Sequence, residues 1–190
     1  MDEEQQLITR AQQGDARAYE SLVRRYEQIA FRAAWLITRD EREAADATQD
    51  AFVRAYRALG SFKRTEPFRP WLLRIVTNQA LNRVKSLQRR AHMTERFAQQ
   101  ELIAQNDPSP ERVVVTQDQS ARLREVVDRL APEERALIAF RYFLEMPEQD
   151  VAAALNIPLG TVKSRLHRTL ARLREIITRE FPDLQDLVVE

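Results

Sequence analysis

The chain has 190 residues, 44% apolar and 31% charged, with 30 Lys and Arg set against 29 Asp and Glu. That fits one large domain or two small ones, with enough apolar surface for a real core. It has no Cys, two histidines (His92 and His167) and three glycines (Gly14, Gly60 and Gly160), which excludes disulfides and Cys nucleophiles, argues against a catalytic metal centre, and leaves no material for the common Gly-rich nucleotide loops.

No apolar run approaches the roughly 20 residues of a membrane span. The acidic start, Asp2-Glu3-Glu4, is not that of a signal peptide. The expectation is a soluble cytoplasmic protein with no cofactor, no metal and no membrane insertion. Its near-neutral total conceals two basic islands. Residues 61–96 hold 9 basic and 2 acidic side chains, and residues 158–174 hold 5 basic and none acidic. Between them, residues 97–134 hold 4 basic and 8 acidic. Two separated positive patches suit two contacts with a polyanion, or two solvated helix faces.

Helical periodicity predominates, and no run alternates as a strand would. A first helix spans 3–13 and ends at Gly14. Asp15 caps a second, 16–37, on which Leu22, Tyr26, Ile29, Ala33 and Leu36 recur at helical spacing. Asp40 caps a third, 41–59, ending at Gly60. Its Ala47, Ala51, Phe52, Ala55, Tyr56 and Leu59 suit a core. Asp46, Gln49, Asp50, Val53 and Arg57 form a second stripe, either a docking face for a protein partner or a plain solvated face.

A loop, 61–69, leads into a fourth helix that has Pro70 in its first turn and runs to about Arg90. Here aromatic and basic residues interleave: Phe62, Lys63, Arg64, Phe68, Arg69, Trp71 and Arg74, then Asn78. Rings of this kind stack on unpaired bases while Arg holds the backbone. Phe62, Phe68 and Trp71 equally suit a core that tucks the loop down. Arg83, Lys85, Arg89 and Arg90 continue the basic run as candidate phosphate contacts.

Residues 91–116 change character, with many Gln and the helix-breaking Asn106-Asp107-Pro108-Ser109-Pro110. They read as a flexible linker, with Val113–Val115 as a short strand or the start of the next helix. Helices follow at 117–130, 132–143, 148–155 and 161–180, with a turn at 156–160. The fold class is therefore all-α, with helical domains at 1–92 and 117–190 joined by a linker at 93–116.

Residues 147–174 make a helix-turn-helix pattern. Val151, Ala152, Leu155, Ile157, Val162, Leu166 and Leu173 face inward. Thr161, Ser164, Arg165, Arg168 and Arg172 share the opposite face, flanked by Lys163 and His167. Such a helix fits the major groove and reads base edges near its N-terminus, where Thr161 would cap it. An ordinary helical hairpin with a wet basic face has the same pattern.

Three segments occur in order: Asp46-Ala47-Thr48-Gln49-Asp50-Ala51-Phe52, Phe68-Arg69-Pro70-Trp71-Leu72-Leu73-Arg74-Ile75-Val76-Thr77-Asn78, and Gly160-Thr161-Val162-Lys163-Ser164-Arg165-Leu166. Together they resemble the extracytoplasmic-function (ECF, group IV) sigma factors of bacterial RNA polymerase, over nearly the whole chain. Ala47, where a larger aliphatic is usual, and Pro70, where Ala is common, depart from the family pattern.

The resemblance implies an alternative sigma factor. Region 2 would dock on the β′ clamp helices of core polymerase through Asp46, Gln49, Asp50 and Val53. The loop at 62–69 would capture a flipped base of the −10 element, with Trp71, Arg74 and Asn78 aiding melting and recognition. Region 4 would read the duplex −35 element through Thr161, Lys163, Ser164, Arg165, His167, Arg168 and Arg172. The linker would pass near the RNA exit channel. Further partners implied are the β flap, promoter DNA and an anti-sigma factor, with no covalent chemistry by the chain itself. A stand-alone helix-turn-helix regulator and a helical adaptor for acidic partners are the alternative readings.

Overall fold

A computed structural model describes the backbone of residues 3–100 and 119–187, with the side chains of 3–91, 122 and 125–184. Among the described residues there is no strand. Eight α-helices occur there: α1 (Glu3–Gln12), α2 (Ala16–Thr38), α3 (Glu41–Ala58), α4 (Phe68–Gln100), α5 (Gln119–Asp128), α6 (Pro132–Ile138), α7 (Glu148–Leu155) and α8 (Leu159–Glu180). A 3-10 turn, Leu59–Ser61, follows α3, a π-helical turn, Ala139–Phe143, extends α6, and a 3-10 stretch, Pro182–Leu187, closes the chain.

Local chemistry sets the helix starts. Asp15 accepts from the amides of Arg17 and Ala18 at 3.0 and 3.1 Å, and Asp40 accepts from the Glu43 amide at 2.8 Å, each satisfying an orphan donor of the first turn. Ala44, Ala47, Ala51 and Ala55 of α3 are all fully buried. This seam of methyl groups lets α3 approach its neighbours closely, and α2, α3 and α4 pack against one another with α1 on α2. Of the six α3 residues expected in the core, Phe52 is half-buried and Tyr56 is exposed. Tyr56 instead stacks on Tyr19, with ring centroids 4.9 Å apart.

Two boundaries differ from expectation. α4 continues past Arg90 to Gln100, because residues 91–100 contain neither Gly nor Pro and nothing there stops a helix. Residues 101–118, with the Asn106–Pro110 breaker and Val113–Val115, lie outside the described residues. In the second half, the left-handed residue of the helix-turn-helix is Asn156 (φ 53, ψ 47), which caps α7. Asn tolerates that conformation almost as Gly does. Gly160 therefore lies inside α8, and Thr161 does not cap it; the N-cap position is Pro158, without a side-chain cap.

The two halves share one core. α7 packs on α4, and α6 on α2, with Leu144, Met146, Val151 and Ala154 buried in the same cluster as Leu72, Leu73 and Val76. Arg135 Nη2 donates to the Ile37 carbonyl at 2.8 Å. Arg39 pairs with Asp128, and Lys85 pairs with Glu133 at 3.3 Å. Despite the flexible linker expected between them, the two halves meet in a packed junction. A smaller core of Val126, Ile177, Phe181 and Leu184 joins α5 to the end of the chain.

Candidate functional site

On α3, Gln49 and Val53 are exposed, and the Asp46 and Asp50 side chains are 47% and 54% exposed. All four lie on one surface stripe. Arg83 of α4 ties its carboxylates together. Its Nη1 donates to Glu43 Oε2 at 3.1 Å and Asp46 Oδ2 at 3.0 Å, and its Nη2 donates to Asp50 Oδ2 at 2.9 Å. Partial burial alone would lower the guanidinium pKa, but the hydrogen bonds to Asp50 and Glu43 and the negative charges of Asp46 and Asp50 together raise it. Arg83, expected to meet phosphate, thus faces carboxylates. Beside the stripe, Val23, Glu27 and Phe31 of α2 meet Gln49 and Phe52 around a cleft of about 390 Å³. The sequence reading assigned none of the three α2 residues to this surface, although they recur at i, i+4 and i+8.

In the aromatic loop two of the three rings take the core alternative. Phe62 and Phe68 are 5% and 2% exposed and form a cluster with half-buried Trp71, centroids 4.9 to 5.5 Å apart. Gln12 Nε2 pins the loop by donating to the Leu59 and Phe62 carbonyls at 3.0 and 2.9 Å. Edge and tilted ring contacts of this kind are core packing, so neither Phe offers a face to a base. Lys63, Arg64 and Asn78 are exposed. Arg69 and Arg74, both half-buried, reach across the junction: Arg69 Nη2 donates to the Leu144 carbonyl at 2.8 Å, and Arg74 Nη1 lies 3.5 Å from Asn156 Oδ1.

The helix-turn-helix presents its basic face to solvent. Val151 and Val162 are fully buried and Leu166 nearly so, while Lys163, Ser164, Arg165, His167, Arg168 and Arg172 are exposed and Thr161 is half-buried. Four of these have contacts within the chain. Lys163 lies 3.8 Å from Glu148, Ser164 Oγ donates to the Thr161 carbonyl at 3.1 Å, and Arg168 Nε donates to the Ser164 carbonyl at 3.3 Å. Arg172 pairs with Glu134 of α6 at 3.0 Å. Arg165 and His167 have no ion pair among the described residues. Arg165 and Arg168 border a cleft of about 350 Å³ with Glu133, Glu134 and Leu137.

Comparison with known proteins matches residues 22–90 to Sigma-70 region 2 and residues 120–173 to Sigma-70 region 4. The RNA polymerase sigma-H factor of Pseudomonas aeruginosa is 32% identical over 173 residues, 88% of this chain and 90% of that protein. The ECF RNA polymerase sigma factor SigW of Bacillus subtilis is 30% identical over 183 residues, 93% of this chain and 96% of that protein. Among solved structures, CnrH in complex with the cytosolic domain of CnrY superposes with a TM-score of 0.69 at 25% identity, over 94% of this chain and 99% of CnrH. With an exposed acidic-amide stripe on α3, an exposed basic face on α8 and relatives of this similarity along nearly its full length, the chain belongs to the sigma-70 family, in the ECF group, and is an alternative sigma factor.

Proposed function

We propose that the chain docks on core RNA polymerase through the α3 stripe of Asp46, Gln49, Asp50 and Val53, and directs initiation by reading two promoter elements. The domains are 1–92 for docking and the −10 element and 117–190 for the −35 element, with 93–116 as connector. The stripe left exposed on α3, outside the helix-turn-helix, carries this reading, because a stand-alone DNA-binding regulator has no use for it. Lys63, Arg64, Arg69, Arg74 and Asn78, with Trp71, serve the −10 element. Phe62 and Phe68 support them from beneath as packing. The α8 residues Lys163, Ser164, Arg165, His167 and Arg168 serve the −35 duplex, with Thr161 and Arg172 at either end.

The mechanism is one of linked weak contacts. Phosphate and base-edge contacts by α8 bind duplex with strong salt dependence. Docking on polymerase then holds the −10 residues at a fixed separation, so the second contact forms at high effective concentration. Capture of an extruded base offsets part of the unstacking cost, a few kcal/mol. The chain supplies no covalent chemistry and works where polymerase and DNA are, in the cytoplasm. Because CnrH is found in complex with the cytosolic domain of CnrY, a partner protein of comparable kind is expected here. Recovery of core polymerase alone with the tagged chain from its own cells would speak against such a partner.

Run-off transcription with purified core and a promoter library tests the central reading. Holoenzyme is expected to initiate on a defined subset of templates, D46A/Q49A to bind core at least about tenfold more weakly with its helicity intact, and R168A to lose −35 affinity about tenfold. Sequence-specific binding without polymerase, unaffected by D46A/Q49A in transcription, would instead establish a stand-alone regulator.

A further inference from the structure

Arg83 links the helix of the docking stripe to the helix that carries Trp71, Arg74 and Asn78. Glu43, Asp46 and Asp50 follow at i, i+3 and i+7 on α3, so their carboxylates share one face and repel one another. The side-chain exposures run from 19% at Glu43 through 47% at Asp46 to 54% at Asp50. Arg83, itself 27% exposed, sits against all three. Its bonds to both aspartates go to Oδ2. One oxygen of each aspartate is thus anchored by Arg83 while about half of each side chain stays exposed to a partner.

We infer that Arg83 is a positioning residue for polymerase docking, holding Asp46 and Asp50 in the pose that core polymerase meets, and that it is not a phosphate contact. The inference rests on the docking reading above. An exposed Asp held by nothing must lose rotamer freedom when it binds; one already fixed by a fork of hydrogen bonds does not pay that cost again. Both Nη atoms are engaged, Nη1 twice, so meeting a DNA phosphate would mean surrendering charge-assisted bonds of the strong kind. Lysine is a point charge without the planar fork and replaces this arrangement only in part.

The test is a double-mutant cycle on the full chain, titrated against purified core polymerase. Arg83→Met is expected to weaken core binding about five- to tenfold in the natural background, and by roughly twofold or less once Asp46→Ala and Asp50→Ala are both present. Arg83→Lys recovers part of the loss. An equal loss in both backgrounds overturns the inference, since Arg83 would then act through the fold and not through the aspartates. So does an unchanged core affinity accompanied by a lower salt slope of promoter binding, the signature of a lost phosphate contact. If Arg83→Met is unfolded at the assay temperature, the same cycle run with Arg83→Lys decides by the same criterion. Normal docking by the double-alanine protein with Arg83 in place has a different meaning: it removes the docking reading itself.

Discussion

The arginines show how residue type and residue role separate. The basic run 61–96 reads as one phosphate-binding island, yet its members have different partners: Arg83 faces three carboxylates, Lys85 meets Glu133, and Arg69 meets a carbonyl. Phe62, Phe68 and Trp71 divide the same way. Their interleaving with Arg suited base stacking or core, and burial settles Phe62 and Phe68 as core. Phe68→Ala is therefore expected to cost about 3–5 kcal/mol in stability, measured by urea unfolding, with DNA affinity falling only because the loop loses its support. A Phe68→Ala protein of natural stability with impaired base capture would return Phe68 to the binding surface. The sequence made these residues conspicuous; it held no information on which ring lay inside, because a Phe on a core and a Phe on a stacking platform have the same local neighbours in the chain.

At the scale of elements, caps and periodicity were legible and turn chemistry less so. Asp15, Asp40 and the apolar stripe of α2 place α1 to α3 within a residue or two of expectation. The spacing places the α7–α8 turn at 156–160 but does not show that its left-handed residue is Asn156. Gly160 has no positive φ, and a Cβ built there meets nothing within 4 Å. Gly160→Ala is accordingly expected to stabilise the protein by up to about 0.5–1 kcal/mol, as a replacement within the first turn of α8. Asn156→Val is expected to destabilise it by about 1–2 kcal/mol, since a β-branched side chain clashes in the left-handed region. Thermal unfolding of both variants checks the pair, and a destabilised Gly160→Ala would contradict the helix start at Leu159.

For the whole molecule, the junction is the main result. α7 lies on α4, and Arg69 and Arg74 are bonded to the second half. In the −10 role proposed for them, those two side chains would reach DNA only when the junction parts. Its polar chemistry favours such a step: Arg69 Nε and Arg135 Nε are buried there without partners, and an unsatisfied buried donor costs about 1–3 kcal/mol. Burial also lowers the pKa of Arg135. Asp128→Arg with Glu133→Lys sets like charges against Arg39 and Lys85, and is expected to enlarge the radius of gyration in small-angle scattering while the helix signal in circular dichroism is kept. An unchanged scattering profile would mean that apolar packing alone holds the halves together.

The sequence by itself determined the helices, the helix-turn-helix, the acidic-amide stripe and the two basic islands. All are written in spacings of three, four and seven residues and in caps a few residues away, which is the range over which a helix interacts with itself. Tertiary structure alone decided which charges are free and which are paired, which rings are buried, and that two separable helical units meet over one core. Those outcomes rest on contacts such as Arg83 with Asp50 or Arg69 with Leu144, made between residues 33 and 75 positions apart, and no local pattern encodes a distance that only the folded chain defines.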